Sequence, residues 1–476
     1  MIILNRERFK SIVLLFLVIL SFILTTRIWF YTSIEGIFIM PGNKSIKPDF
    51  NAEYDKSDLL KPPKLVVSFG KRSTLLYDNE ANNEIYNRIF KETKRIIRTA
   101  ILTSSKEAVK KLPQEELSKI RATRGVSFIF NMPLKIEAVY KLMNISNAAD
   151  IGVKDIDGII VSQSLNKVYL QDNAQNVLFE LSASGIQNNL NFIISNLEKQ
   201  PTVSCLFLDR FQSKFYGKNA VVPTKIGEKG LPVLSGVKEL EAKEGIPDSI
   251  AAFFNDEISS LSIIKNIDGT LVYTDREDQV VKLYTNGMLE YVNYNLQSTV
   301  SSPINVSSAI DISTDFVSKH LEFPMEFPKN SYISDIIKTM NGDRYIIRYR
   351  YTYEGLPIIL DSGLSSDTIE VEIVGDEVRR YKRVVREFND ELEYKQVMEF
   401  RDVLDIILDE KVEVQSGEKI IKVKDMYLAY YENYSKDNIN YIPVWVAEVT
   451  VKRTETGTVL NQRYIINAEI GVILDK

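Results

Sequence analysis

One histidine, one cysteine, an aspartate-rich pentapeptide and two basic stretches are the parts of this 476-residue chain with most chemistry to offer. His320 follows Ser318 and Lys319 and precedes Leu321-Glu322-Phe323-Pro324, which places it at the end of a predicted helix. The helix dipole favours a histidine there, so the residue reads as structural rather than catalytic. With one histidine and the lone Cys205, His/Cys zinc clusters are excluded and His-based catalysis would rest on a single position. No intramolecular disulfide is possible. Lys154-Asp155-Ile156-Asp157-Gly158 resembles the opening of a calcium loop, but the series of acidic ligands and the closing glutamate are missing. The pentapeptide is expected as a surface turn before a strand at Ile159.

Arg344, Arg348 and Arg350 interleave with Tyr345, Tyr349, Tyr351 and Tyr353, a mixture that can bind single-stranded nucleic acid. Strand alternation gives a simpler account, with Arg348, Arg350 and Thr352 on one half-solvated face and the later tyrosines on the other. Arg379, Arg380, Lys382, Arg383 and Arg386 form a second basic cluster near a turn, read in the same way. A formal charge of −5 is too mild to imply a nucleic-acid partner. The sequence holds no phosphate-binding Gly-rich loop, no GxSxG elbow and no HExxH. No catalytic, cofactor-binding or metal-binding residue is assigned.

The N-terminus is more informative. Arg6, Arg8 and Lys10 precede an apolar run from Ile12 to Leu24, followed by Arg27 and the aromatic residues Trp29, Phe30 and Tyr31. A membrane-spanning helix needs roughly 20 apolar residues, and Ser11 to Tyr31 meets that length if Arg27 snorkels to the headgroups. The early cations predict an N-terminus in the cytoplasm and a large region outside it. A cleaved secretory signal is the competing reading. Leu24-Thr25-Thr26-Arg27-Ile28 is a poor cleavage site, however, and favours a retained single-pass anchor.

These features must be carried by an α+β protein of several domains, given 45% hydrophobic and 26% charged residues. Residues 1–10 are expected as a cytoplasmic tail, 11–31 as the transmembrane helix and 32–64 as a juxtamembrane linker. Residues 65–200 read as an α+β domain. It has a first strand at Lys64–Phe69, an amphipathic helix over Asn82–Thr103 and shorter helical stretches at Ser104–Lys111 and Gln114–Ile120. Strands are expected at Gly125–Asn131 and Ile159–Tyr169, with a helix over Ser184–Glu198. Residues 201–302 read as β-rich, with a meander in which Asn286-Gly287 makes a two-residue turn, both residues at positive φ. Residues 303–476 read as two degenerate repeats, each a helix against an antiparallel meander. The helices are Asp311–His320 and Lys395–Leu408. The repeat equates strand Tyr345–Tyr353 with Lys424–Tyr431, and Leu356-Pro357-Ile358-Ile359 with Tyr441–Val446.

The opening Asn5-Arg6-Glu7-Arg8-Phe9-Lys10-Ser11-Ile12-Val13-Leu14 resembles the start of the YycH family. The hairpin from Leu271-Val272-Tyr273-Thr274 to Gly287-Met288-Leu289-Glu290-Tyr291-Val292 looks like that family too, and the C-terminal units are similar to the extracellular domain of YycI. The resemblance implies a membrane-anchored, non-enzymatic regulator of a WalK/YycG-type sensor histidine kinase in cell-wall homeostasis. It would act with a YycI-like protein through transmembrane and extracellular contacts. It implies no catalytic or metal residues. In the span, Ser21 and Thr25 lie four apart on one face and are the expected partner contacts. Two other classes compete: an extracytoplasmic scaffold holding cell-wall polymers on its basic strand faces, and an enzyme with a carboxylate constellation invisible in sequence.

Overall fold

The computed structural model describes residues 59–475, apart from 184–188, 213, 228, 239–245, 255–260, 276, 296–303, 321–329, 340–343, 362–366, 385, 410–416 and 435–438. The expected anchor, with Ser21 and Thr25, lies outside the described residues. Among those described, no helix is long and apolar enough to cross a membrane. The architecture is α+β and mostly β.

A nine-stranded antiparallel sheet takes the first part of the chain. Its strands are β1 (Lys64–Phe69), β2 (Ser73–Leu76), β3 (Lys110–Pro113), β4 (Arg124–Lys135), β5 (Asp155–Ser162), β6 (Lys167–Asp172), β7 (Val177–Ser182), β8 (Ser204–Phe207) and β9 (Val221–Pro223). The order across the sheet is β3-β7-β6-β5-β4-β1-β2-β8-β9. Its last two strands come from the stretch expected to open the central β-rich segment. Four helices accompany it: α1 (Asn83–Leu102), α2 (Leu117–Arg121), α3 (Ile136–Leu142) and α4 (Asn189–Leu197). In α1, Ile89, Phe90, Ile96 and Ile97 recur at helical spacing and are buried, which is what holds the helix to the sheet.

Two local expectations fail here. Lys110 and Lys111, expected on a helix, instead pair with Glu180 and Phe179 as edge strand β3. The Lys154–Gly158 pentapeptide is no surface turn, since Asp155 already begins β5. Asp155 pairs with Lys135 at 2.8 Å, and Asp157 accepts the Asn173 amide at 2.6 Å. In both places a neighbouring strand offered backbone partners that outweighed local preference.

The second sheet has fifteen strands. They are β10 (Leu231–Lys238), β11 (Ser262–Lys265), β12 (Leu271–Thr274), β13 (Gln279–Leu283), β14 (Leu289–Asn293), β15 (Ser331–Lys338), β16 (Arg344–Tyr353) and β17 (Leu356–Ile359), then β18 (Ile369–Val374), β19 (Glu377–Arg383), β20 (Arg386–Lys395), β21 (Glu418–Tyr434), β22 (Ile439–Arg453), β23 (Val459–Asn467) and β24 (Ile473–Asp475). Helices α5 (Asp248–Ala251), α6 (Val306–His320) and α7 (Phe400–Ile407) interrupt them. Helix α6 is followed by the meander β15-β16-β18-β19, and α7 by β21-β22-β23-β24.

The recurrence is therefore helix, then four strands, but the elements correspond differently from the sequence alignment. The tyrosine-rich β16 is a second strand, whereas β21 is a first strand. The Leu356-Pro357-Ile358-Ile359 strand is an insertion that pairs in parallel with β21, joining the two meanders. Helix α7 is also shorter than expected. Lys395 ends β20, paired with Leu231 of β10, and Glu399 is still extended. The Asn286-Gly287 turn differs as well. Only Gly287 has positive φ, +82°. Hydrogen bonds from Gly287 N to Tyr284 O and from Tyr284 N to Met288 O make a three-residue loop. The left-handed position is then single, and glycine takes it.

The apolar core crosses between sheets. Val67, Phe128 and Val161 of the first sheet belong to the same buried cluster as Ile310 and Val317 of α6 and Tyr273, Ile347 and Val371 of the second. A second cluster packs Phe400, Val403 and Ile407 of α7 against Trp445, Ala447 and Tyr464.

Candidate functional site

Where β1 meets β21, the apolar packing gives way to charge. Lys64, the first residue of β1, reaches Asp425 at 2.5 Å, across a sequence separation of 361; their side chains are only 6% and 14% exposed. A bulge in β21 between Val423 and Asp425 sets Asp425 opposite Glu448 of β22. Bulges re-aim side chains in this way. The Asp425 carboxylate also accepts the Met426 amide at 2.8 Å. The Lys64 ammonium lies 5.3 Å from the ring centre of Tyr427, whose hydroxyl donates to Glu448 at 3.3 Å. Arg463 stands 3.6 Å from Glu448. Next to this group, Arg350 and Asp367 pair at 2.5 Å, almost fully buried, and Tyr332 adjoins Arg350.

The electrostatics follow from burial. Desolvation pushes Asp425 up to about 6, although the Lys64 cation pulls it down; the nearby Glu448 adds to the rise. Burial also raises the Tyr427 and Tyr332 hydroxyls, which stay protonated. The adjoining cavity is about 50 Å³, bordered by Lys61, Tyr77, Asn131, Tyr332, Pro357 and Tyr427. That holds a few waters, not a metabolite. Lys61 closes one side through Asp78 at 3.0 Å. Asp425 is largely buried and Glu448, opposite it, is half-buried; each faces a cation, and the cavity beside them is too small for a substrate. The arrangement can hold two sheets together and exchange a proton near neutral pH.

Apart from Arg350, the residues singled out from sequence lie elsewhere. His320 is at the end of α6 as expected, but it is 4% exposed, stacked on Phe253 with ring centres 4.2 Å apart and beside Phe316 at 4.1 Å. Its Nδ1 donates to the Phe316 carbonyl at 2.7 Å. Burial pushes its pKa down to about 4, overriding the preference of the helix end for a cation. Cys205 is buried, and desolvation pushes its thiol up to about 12, so it is no nucleophile. The basic strands are internally neutralised. Arg344 pairs with Glu372, Arg348 with Glu370 and Asp335, and Arg380 with Glu290. Arg350 is not on a half-solvated face at all. The junction residues Lys64, Asp425 and Glu448 were missed, because no local spacing links positions so far apart.

A helix-backed nine-stranded sheet joined through a charged seam to a fifteen-stranded sheet of helix-led meanders defines a large two-sheet α+β protein. Among solved structures it is similar to YycH from Bacillus subtilis, at 13% sequence identity and a TM-score of 0.55, covering 86% of this chain and 97% of that one. The fold is YycH-like. An uncharacterized protein from Eubacterium rectale aligns over 54% of this chain and 91% of its own, at 10% identity and a TM-score of 0.38, which carries no argument. The sequence matches no protein-family profile and no curated protein.

Proposed function

We propose that the chain is a non-enzymatic regulator that modulates a membrane sensor histidine kinase of the WalK/YycG type. It acts together with a YycI-like partner, through transmembrane and extracellular contacts. The observation that carries this reading is the YycH-like fold over 86% of the chain. The chemistry of the described residues agrees with it: the histidine is caged, the thiol is buried, and Asp367 and Asp425 are each paired with a cation. The protein sits in the cell membrane by the single span at 11–31, with the bulk of the chain outside the cytoplasm.

Within the bilayer there is little hydrophobic drive between helices, so partner choice falls to close packing and small polar residues. Ser21 and Thr25 are placed to supply both. Replacing them together, Ser21→Leu and Thr25→Leu, is expected to leave membrane insertion intact while weakening co-purification with the kinase and shifting transcriptional output. Wild-type co-purification and output in the double variant would remove the transmembrane contact from this proposal and leave the exterior as the binding surface.

A further inference from the structure

Helix α1 carries Arg88, Lys91, Lys94, Arg95 and Arg98 on the side away from its buried isoleucines. A solvated face is the ordinary fate of such residues, but here they border a concavity. A groove of about 410 Å³ runs between α1 and the chain leaving α3, with Lys91, Lys94, Arg95 and Arg98 on one wall and Met143 and Asn144 on the other. Phe90 also lines it; Phe90 and Met143 are themselves buried, so the apolar surface the groove offers comes mostly from the aliphatic stems of its lysines and arginines. No carboxylate lines the groove. The nearest acid on the helix, Glu92, is engaged by Arg95 in two hydrogen bonds of 3.0 and 2.7 Å. Lys94 lies 5.2 Å from the Phe90 ring centre. Lys91 and Arg98 have no ion-pair partner among the described residues, unlike Arg344, Arg348 and Arg350 of β16 and Arg380 of β19.

We propose that this groove binds a linear polyanion whose phosphates are joined by short carbon spacers. The two unpaired cations are seven residues apart on one helix face, about 10 Å along the axis, so they can take two anions of the same chain. Both Lys and the Arg guanidinium fork suit phosphate oxygens. The aliphatic stems of the lysines and arginines between them give carbon spacers an apolar surface, which a string of bare anions would not use. Concavity argues against a membrane as the ligand, since a flat bilayer surface cannot follow a groove whereas a single chain can lie in it. Low-dielectric walls carrying one sign of charge also concentrate the field and draw in such a ligand. The proposal is independent of the kinase reading, because it concerns a different surface and a different ligand.

The test is binding of the full chain, in neutral detergent, to synthetic poly(glycerol phosphate), compared with poly-glutamate and with glycerophosphoglycerol, the water-soluble headgroup of phosphatidylglycerol. The double variant Lys91→Glu/Arg98→Glu changes exposed side chains, and its melting curve checks that it folds. Loss of a charge-assisted contact is worth roughly tenfold in affinity, so the double variant is expected to bind poly(glycerol phosphate) at least about tenfold more weakly. Wild-type binding should weaken as salt rises from 50 to 200 mM. Lys110→Glu/Lys111→Glu on β3 makes the same change in net charge away from the groove and should bind like wild type. Equal loss in that control, wild-type affinity in the groove variant, or a preference for glycerophosphoglycerol or poly-glutamate would each overturn the assignment.

Discussion

His320 and Asp425 are both buried titrating groups, and burial moves them in opposite directions. The imidazole falls to about 4, so the folded chain keeps it neutral where the unfolded chain protonates it. Between pH 6.5 and 4 the unfolded state binds the extra proton, and stability is lost as pH falls. The Asp425 carboxyl rises to about 6, so over pH 4 to 6 the folded state holds the proton that the unfolded state has released. Stability from that group is lost as pH rises. Each shift corresponds to about 3 kcal/mol in size. Urea midpoints measured from pH 4 to 7 for wild type, His320→Gln and Asp425→Asn separate the two. The wild-type advantage over His320→Gln is expected to shrink toward pH 4, and its standing relative to Asp425→Asn to worsen toward pH 7. Parallel curves for all three proteins would show that neither shift is real.

At the level of elements, the β16–β17 hairpin works as a wedge between the sheets. Its turn residues Glu354 and Gly355 both have positive φ, +48° and +77°. The Glu354 carboxylate accepts the Glu80 amide of the first sheet's β2–α1 connection at 3.0 Å. A Cβ on Gly355 would meet the Asp78 amide nitrogen and Tyr77 Cβ at 2.9 Å. Gly457 also has positive φ, +68°, but its nearest neighbour is a lysine carbon at 3.9 Å. Ala at a positive-φ glycine costs more than about 1 kcal/mol from backbone strain alone. Gly457→Ala should therefore lose about that much in a denaturation curve, and Gly355→Ala clearly more, because backbone of the other sheet must also move. Equal losses would mean the hairpin does not press on the first sheet.

Across the whole molecule, the shared core and the Lys64–Asp425 seam tie the sheets into one cooperative structure. Lys141 of α3 and Asp311 of α6 add a second tie at 2.5 Å. Cys205 lies buried in β8 of the first sheet, and Trp445 lies buried in β22 of the second. In a Trp29→Phe background, thiol exposure and tryptophan fluorescence then report one sheet each. Their unfolding midpoints in urea are expected to coincide. An earlier thiol transition would show the first sheet opening on its own and the seam carrying little coupling.

Much of the element pattern was readable along the chain, because periodicity is a local property. Ile89, Ile96 and Ile97 mark the buried face of α1, and Phe400, Val403, Leu404 and Ile407 that of α7. The lone cysteine and histidine already ruled out disulfides and His/Cys zinc clusters. Alternation along β16 separated its two faces, but it could not show that both are covered: Tyr349 is fully buried on one and Arg350 nearly so on the other. That cover comes from distant strands and from Asp367. The seam and the basic groove are likewise products of assembly. Lys64 finds Asp425 only after both sheets have formed, and the cations of α1 become a groove only when the end of α3 supplies its far wall. Local preference follows from residues three or four positions apart, whereas charge burial and concavity depend on which remote surfaces meet, and only tertiary packing decides that.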